Sequence, residues 1–157
     1  MKILLLFVGK TTQSFVEAGI AEFSDRLKHY IPFEIKIVPD LKNTGNLSFD
    51  QIKEKEGELI AKHLQQGDYI VLLDERGKAF SSVRFSAYLE KKTHSISKRL
   101  VFVIGGAYGF SSKIQELAQE KISLSPMTFS HQLVRVLFVE QLYRAMTILN
   151  NEPYHHE

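Results

Sequence analysis

Continuous apolar runs alternate along the chain with amphipathic segments, and this pattern predicts strands that alternate with helices. Three of the runs are apolar throughout, at residues 3–8, 70–73 and 100–104. Runs of this length and character are typical of parallel strands that are buried on both faces of a sheet. The pattern therefore predicts an α/β fold with a mostly parallel sheet and helices on both faces.

The predicted elements follow one another without a linker, an internal repeat or a low-complexity stretch. Strands are expected at Lys2–Val8, Phe33–Val38, 69–73, 100–104 and 121–124. Helices are expected from Thr12 to about residue 30, from Ser48 to about 66, from Ser81 or Ser82 to about 96, from Ser111 or Ser112 to about 119, and from Phe129 to Leu149. The length of 157 residues predicts a single domain over residues 1–157.

The last predicted helix is apolar on almost every side, which is typical of a buried helix. A chain of this length can bury the remaining apolar surface of this helix against a second copy of itself, so we expect a homodimer. Among its few polar residues, Glu140 and Arg144 lie four positions apart with the acid first. This is the favoured order for a helical ion pair, and we predict a structural pair.

Composition narrows the candidate chemistry. The absence of cysteine excludes disulfides, thiolate metal sites and cysteine nucleophiles. The apolar N-terminal run is too short to span a membrane, so we expect no membrane association. The absence of cysteine fits a reducing cytoplasm, and we expect a cytoplasmic protein. The formal net charge is +2, from 20 basic and 18 acidic residues. This mild balance permits an RNA partner without indicating one, and recognition of RNA would have to use shape and a local basic patch.

Two loops follow predicted buried strands. The segment LDERGK, residues 73–78, lies at the carboxyl end of a strand, where parallel sheets bind ligands, although a polar turn at Gly77 explains it equally well. The segment IGGAYG, residues 104–109, would let the backbone approach a ligand closely. Its spacing matches neither the dinucleotide-binding nor the P-loop pattern, and a tight strand-to-helix turn is the alternative.

Two further segments have unusual compositions. In LSPMTFSH, residues 124–131, Pro126 extends the preceding backbone and Thr128 or Ser130 can cap the next helix. The tail EPYHHE, residues 152–157, places two histidines beside a tyrosine. A histidine is a suitable proton acceptor near neutral pH. We expect no metal site, because cysteine is absent and the other histidines are scattered.

Taken together and in this order, these segments resemble one family over essentially the whole chain. It is the family of small SPOUT methyltransferases that modify N3 of a pseudouridine in large-subunit ribosomal RNA. The most specific segments are VIGGAYG at 103–109, LSPMTFSH at 124–131, EQLYRA at 140–145 and PYH at 153–155. Each segment is short, and the specificity comes from all four in register.

The resemblance implies a C-terminal trefoil knot that binds S-adenosyl-L-methionine largely through backbone groups. It implies a cofactor-binding set of Leu73, Gly105, Gly106, Leu124, Ser125, Pro126, Met127, Thr128 and Phe129. It also implies that Tyr154 and His155 of the tail act on the substrate side, in the partner subunit's pocket. Arg135, His131 and Arg144 are candidates for holding phosphate or the base, with Arg135 included in the expected catalytic set.

The substrate implied by the resemblance is 23S ribosomal RNA in the assembled ribosome. His156 stands where the family often has arginine, so a permanent positive charge is not expected at that position. Three alternatives remain open from the sequence. They are a related enzyme with another RNA target such as tRNA, a non-enzymatic RNA-binding assembly factor, and a generic nucleotide-binding α/β domain.

Overall fold

The structure is a computed structural model that describes residues 1–156; Glu157, the last residue of the predicted tail, lies outside the described residues. The strands are β1 (Lys2–Val8), β2 (Phe33–Val38), β3 (Tyr69–Ala79), β4 (Arg99–Ile104) and β5 (Glu120–Ser123). The helices are α1 (Ser14–Leu27), α2 (Phe49–Ala61), α3 (Ser82–Ser95), α4 (Ser112–Leu117) and α5 (Leu133–Leu149), and a 3-10 turn spans Thr44–Asn46.

The five strands form one sheet in the order β2-β1-β4-β3-β5, and every neighbouring pair is parallel. In the middle of the sheet, Leu5 of β1 is in register with Ile35 of β2 on one side and with Phe102 of β4 on the other. Because all strands run the same way, their carboxyl ends meet at one edge. The predicted parallel sheet is confirmed.

Alternate residues of the strands bury two cores, one on each face of the sheet. Ile3 and Leu5 point into a core that is closed by helices α1, α3 and α5, whereas Leu4 and Leu6 point into a core under α2 and α4. Double-sided burial explains why β1 and β4 are apolar at successive positions. The predicted helices on both faces are confirmed.

Strand β3 departs from its prediction, because it continues to Ala79 instead of ending at Leu73. Leu73 and Lys78 both pair with Ile122 of β5, so residues 74–77 bulge out of the ladder. A Cβ atom on Gly77 would lie 2.6 Å from the backbone nitrogen of Ile122, which requires glycine there. Residues 74–77 are polar or glycine and lack the apolar pattern of a strand, so the sequence predicted a loop there.

Serine caps fix three helix starts as predicted. Ser48 and Gln51 form a capping box at α2. Ser81 accepts the backbone N–H of Arg84 at α3, and Ser111 accepts that of Ile114 at α4.

Two predicted helix starts are wrong. The first helix begins at Ser14 after Gln13, without a side-chain cap from Thr12. Helix α5 begins at Leu133 instead of Phe129, and Ser130 Oγ accepts the N–H of Leu133. The preceding residue, Gln132, is buried and forms hydrogen bonds with the backbone of Lys10 and Thr12, which holds this segment out of the helix.

No helix within residues 1–156 is long and apolar enough to cross a membrane.

Candidate functional site

A pocket opens where the bulge of β3 meets the carboxyl ends of β4 and β5, and we call it the strand-end pocket. Its volume is about 330 Å³. It is lined by Leu73, Asp74, Glu75, Arg76, Ile104, Gly105, Gly106, Ala107, Tyr108, Gly109, Phe110, Leu124, Ser125, Met127, Thr128, Phe129, His131 and Val134. The parallel sheet thus brings together the three loops that the sequence singled out. Of the expected cofactor-binding residues, Pro126 alone is absent from this lining.

Three of the six residues in the wall formed by residues 104–109 are glycines. A Cβ atom on Gly105 would lie 3.0 Å from the ring of Phe110, and one on Gly106 would lie 2.6 Å from both carboxyl oxygens of Glu56. Side chains at these positions would have to displace their neighbours. The two glycines therefore let the loop pack directly against Phe110 and Glu56.

The bulge of β3 and the loop after β5 close the pocket from the other side. Thr128 Oγ1 donates a hydrogen bond to Glu75 Oε2 at 2.5 Å, which ties the two segments together. Ser125 Oγ accepts the backbone N–H of Met127 at 3.0 Å, and its own carbonyl accepts from Ser123 Oγ at 2.9 Å. The loop is therefore ordered by its own hydroxyls. The side chain of Met127 remains 75% exposed at the pocket's rim.

Helix α2 supports the glycine-rich wall from outside, which the sequence did not predict. The ring of Phe49 stacks on that of Tyr108, with centroids 4.2 Å apart and planes at 18°. Both rings are exposed. A Cβ atom on Gly57 would lie 2.3 Å from Ser111 Oγ, so α2 approaches the end of the loop closely. In the sequence, the apolar Phe49 at the start of α2 was the one sign of this contact.

Glu56 of α2 lies against Gly106, and its Oε1 atom is buried without a hydrogen-bond partner among the described residues. Burial raises the pKa of this carboxyl, and the nearby charge of Asp40 raises it further. An unpaired buried carboxyl behind the glycine-rich wall makes this part of the site sensitive to protonation.

The tail packs along α5. Tyr154 Oη donates to Glu140 Oε1 at 2.9 Å, and Arg144 donates to the same oxygen at 2.6 Å. The Nδ1 atom of His155 lies 3.1 Å from Arg144 Nη1. The predicted pair of Glu140 and Arg144 is therefore present, and it also anchors the tail. Burial and the hydrogen bond to Glu140 raise the pKa of Tyr154, which keeps the phenol protonated.

Neither Tyr154 nor His155 lines the strand-end pocket of its own chain. The structure brings the two expected tail residues together with each other and with Arg144, but not with the three loops. His131, by contrast, does line the pocket and is exposed.

The structure places Arg135 in a supporting position. Its side chain is 1% exposed. Its guanidinium donates to the carbonyl of Val8 at 2.7 Å, to that of Gly9 at 3.0 Å and to that of His131 at 3.0 Å. These bonds join the end of β1 to the start of α5. Arg135 is not among the pocket's lining residues, and its expected role towards the substrate stays a prediction. A cation buried against carbonyls was not predictable from its helical position.

No group of three or more histidine, aspartate or glutamate side chains with the geometry of a metal site occurs within residues 1–156.

The fold and the pocket define a parallel α/β protein with a pocket of small-molecule size beside a glycine-rich loop, at the sheet edge where such folds bind ligands. The family model described as "Predicted SPOUT methyltransferase" matches residues 1–155. The chain therefore belongs to the SPOUT methyltransferase family and is a methyltransferase, with the knotted parallel α/β fold of that family. Similar proteins with assigned names indicate a particular group within this family.

Two relatives carry the name ribosomal RNA large subunit methyltransferase H. The protein from Parabacteroides distasonis is 64% identical over 157 residues, and that from Phocaeicola vulgatus is 60% identical over 157 residues; each match covers 100% of both chains. Among solved structures, a probable methyltransferase from Bordetella pertussis shares the fold with a TM-score of 0.56 at 10% identity, covering 92% of this chain and 94% of the other. A probable methylase family protein from Haemophilus influenzae shares the fold with a TM-score of 0.52 at 11% sequence identity. The match covers 99% of this chain and 70% of the other.

Proposed function

We propose that this chain transfers a methyl group from S-adenosyl-L-methionine to N3 of a pseudouridine in 23S ribosomal RNA, leaving S-adenosyl-L-homocysteine and releasing the N3 proton to solvent. The observation that carries the proposal is the meeting of three separate loops, at residues 73–76, 104–110 and 124–129, in one pocket of a methyltransferase fold. The names of the relatives support ribosomal RNA of the large subunit as the substrate.

The strand-end pocket fits the cofactor in size and chemistry. About 330 Å³ lies within the usual range of small-molecule sites. Leu73, Leu124 and Phe129 offer apolar contact to a planar base, and the backbone of residues 104–109 offers donors and acceptors to its polar edge. Gly105, which lies against Phe110 of the pocket lining, brings no side chain into that approach. When bound there, the cofactor supplies an electrophilic methyl group on sulfur.

The acceptor side of the reaction is assigned to the tail, and the proposal includes a homodimer. Since Tyr154 and His155 lie off the pocket of their own chain, they would act in the pocket of a second subunit. A guanidinium only donates, so Nδ1 of His155 accepts from Arg144 and the ring carries its proton on Nε2. The protonated phenol and this N–H suit both residues to orienting the acceptor base.

The proposed substrate form is the assembled ribosome, in the cytoplasm. A net charge of +2 gives little sequence-independent affinity for RNA, so recognition would use the shape of a preformed particle.

The test is calorimetric titration with S-adenosyl-L-methionine, with NADH and ATP as controls, followed by methyl transfer to ribosomes that lack the modification. Saturable binding of S-adenosyl-L-methionine alone and a methyl group on N3 of one pseudouridine in digested 23S RNA are expected. Cofactor binding with transfer to tRNA instead would overturn the substrate assignment. Absence of both binding and transfer in the presence of ribosomes would overturn the proposal as a whole.

A further inference from the structure

A groove runs between α3 and the edge of the sheet formed by the end of β3 and by β5. Its volume is about 410 Å³. Four basic side chains line it: Lys78, Arg84, Lys91 and Lys121. We call it the basic groove. The first three of these side chains belong to exposed residues.

The positive charge of the basic groove is not balanced locally. Glu120 is the one carboxylate among its lining residues, and it already binds Lys92 at 2.9 Å and the phenol of Tyr88 at 2.5 Å. None of the four basic side chains forms an ion pair within residues 1–156. Four cations in one groove exceed the net charge of +2 of the whole chain. The mild overall charge therefore conceals a concentrated basic surface.

Aromatic rings share this surface with the cations. Phe80 and Tyr88 both line the groove, with ring centroids 5.2 Å apart and planes at 47°. The ammonium of Lys78 lies 5.2 Å from the centroid of Phe80. Cationic grooves with aromatic faces are the surfaces on which proteins hold unpaired nucleic-acid strands, since phosphates bind the cations and bases stack on the rings.

The basic groove and the strand-end pocket each border a third cavity. The volume of this cavity is about 220 Å³. It shares Phe80 and Ile122 with the basic groove, and it shares Leu124 and Phe129 with the strand-end pocket. A strand bound in the groove would therefore lead towards the place where the methyl group is held.

We propose that the basic groove binds the sugar-phosphate backbone of an unpaired RNA segment next to the nucleotide that is methylated. Phosphates contact Lys78, Arg84, Lys91 and Lys121, and one unstacked base lies against Phe80. This inference rests on the proposed function, since it assigns the surface that holds the same RNA substrate.

The first experiment compares two charge-reversed double variants. Arg84→Glu/Lys91→Glu reverses two groove cations that lie seven residues apart on α3. Lys55→Glu/Lys62→Glu is the matched control, because it makes the same charge change at the same spacing, on exposed positions of α2 and its C-cap on the other face of the sheet. Steady-state methyl transfer to ribosomes and calorimetric binding of S-adenosyl-L-methionine are measured for each.

The groove variant should raise the KM for ribosomes about tenfold or more and flatten its dependence on salt, because each lost phosphate contact removes counterion release. Its affinity for S-adenosyl-L-methionine should equal that of the wild type, which also shows that it is folded. The control variant should keep its KM within about twofold. Equal KM values for the two variants, with an active wild type, would overturn the groove and leave the proposed function standing.

The second experiment identifies the partner directly and uses the absence of cysteine in the chain. Ala87→Cys places a unique thiol in the groove, and Lys55→Cys places one on α2. Each is labelled with a benzophenone maleimide, bound to ribosomes and irradiated. Cross-links from position 87 to 23S RNA, and fewer from position 55, are expected. Cross-links from position 87 to ribosomal protein alone would show a protein partner and refute RNA binding in the groove.

Discussion

Tyr154 Oη and Glu140 Oε1 are joined by a hydrogen bond of 2.9 Å, and the same carboxyl oxygen accepts from both Nε and Nη2 of Arg144. One helical carboxylate therefore holds the tail and the cation beside it. The ring of Tyr154 also packs edge-on against Tyr143, with centroids 4.7 Å apart. The tail is thus an ordered extension of α5, placed by side chains that the helix presents.

Replacing this phenol should affect methyl transfer more than cofactor binding. Tyr154→Phe keeps the ring and removes the hydrogen bond, and we expect kcat on ribosomes to fall roughly ten- to a hundredfold because the tail loses its fixed orientation. Affinity for S-adenosyl-L-methionine should be unchanged by calorimetry. Tyr69→Phe, which removes a phenol bonded to Lys92 away from the tail, is the control and should keep its kcat. A Tyr154→Phe enzyme with normal kcat would remove the phenol from the mechanism.

A side chain at Gly105 should close the strand-end pocket. In Gly105→Val, the new Cβ would already lie 3.0 Å from the ring of Phe110, and the branched methyls would enter the approach path. We expect the Kd for S-adenosyl-L-methionine to rise at least tenfold or so. Gly45→Val is the matched control, since open space surrounds a Cβ there. Calorimetric binding by Gly105→Val at wild-type affinity would show that the pocket lies elsewhere.

Arg135 should contribute to stability. Arg135→Met leaves the carbonyls of Val8 and Gly9 without their donor, and we expect the free energy of unfolding to fall by about 3 kcal/mol in urea titrations. The control is Lys53→Met, which breaks the ion pair with the exposed Asp50. It should change the free energy of unfolding by less than about 0.5 kcal/mol. If Arg135→Met is as stable as the wild type but fails in methyl transfer, the residue acts on substrate after all.

Glu56 should make stability depend on pH. Its pKa is raised in the folded chain, so the folded state binds this proton more tightly than the unfolded state does. Stability from this group is fully present below the ordinary carboxyl pKa of 4.5 and is lost as pH rises through the higher folded value. Glu56→Gln cannot ionise, so its Tm should exceed that of the wild type at pH 8 and match it near pH 4.

The comparison for Glu56 is Glu54→Gln, which changes an exposed carboxyl on the same helix. Its Tm should follow the wild type at both pH values. If Glu56→Gln is less stable than the wild type at pH 8, the carboxylate has a partner that stabilises its charged form, contrary to its unpaired position.

Much of the fold followed from local patterns in the sequence. The apolar runs at β1 and β4 marked strands buried on two faces, and the structure shows both faces covered. Ser48, Ser81 and Ser111 marked helix starts, because a serine oxygen can bond an unpaired N–H a few residues away. These signals are local, so the chain alone carries them.

Part of the candidate site could also be predicted from the sequence. Each of the three loops followed a predicted strand, which left a binding site or a plain turn open for each, and the resemblance to the family placed all three in one cofactor site. The buried position of Arg135 could not be predicted, because its partners Val8 and Gly9 lie at the far end of the chain. The contact between Glu56 and Gly106 is equally remote in sequence.

The sequence by itself determined the strands other than the bulged end of β3 and the serine-capped starts of α2, α3 and α4, since each depends on neighbouring residues and their backbone preferences. The tertiary structure decided the bulge of β3 against Ile122, the burial of Arg135 and the gathering of four cations into the basic groove. These features arise from contacts between distant segments, which form only when the sheet sets their order and register.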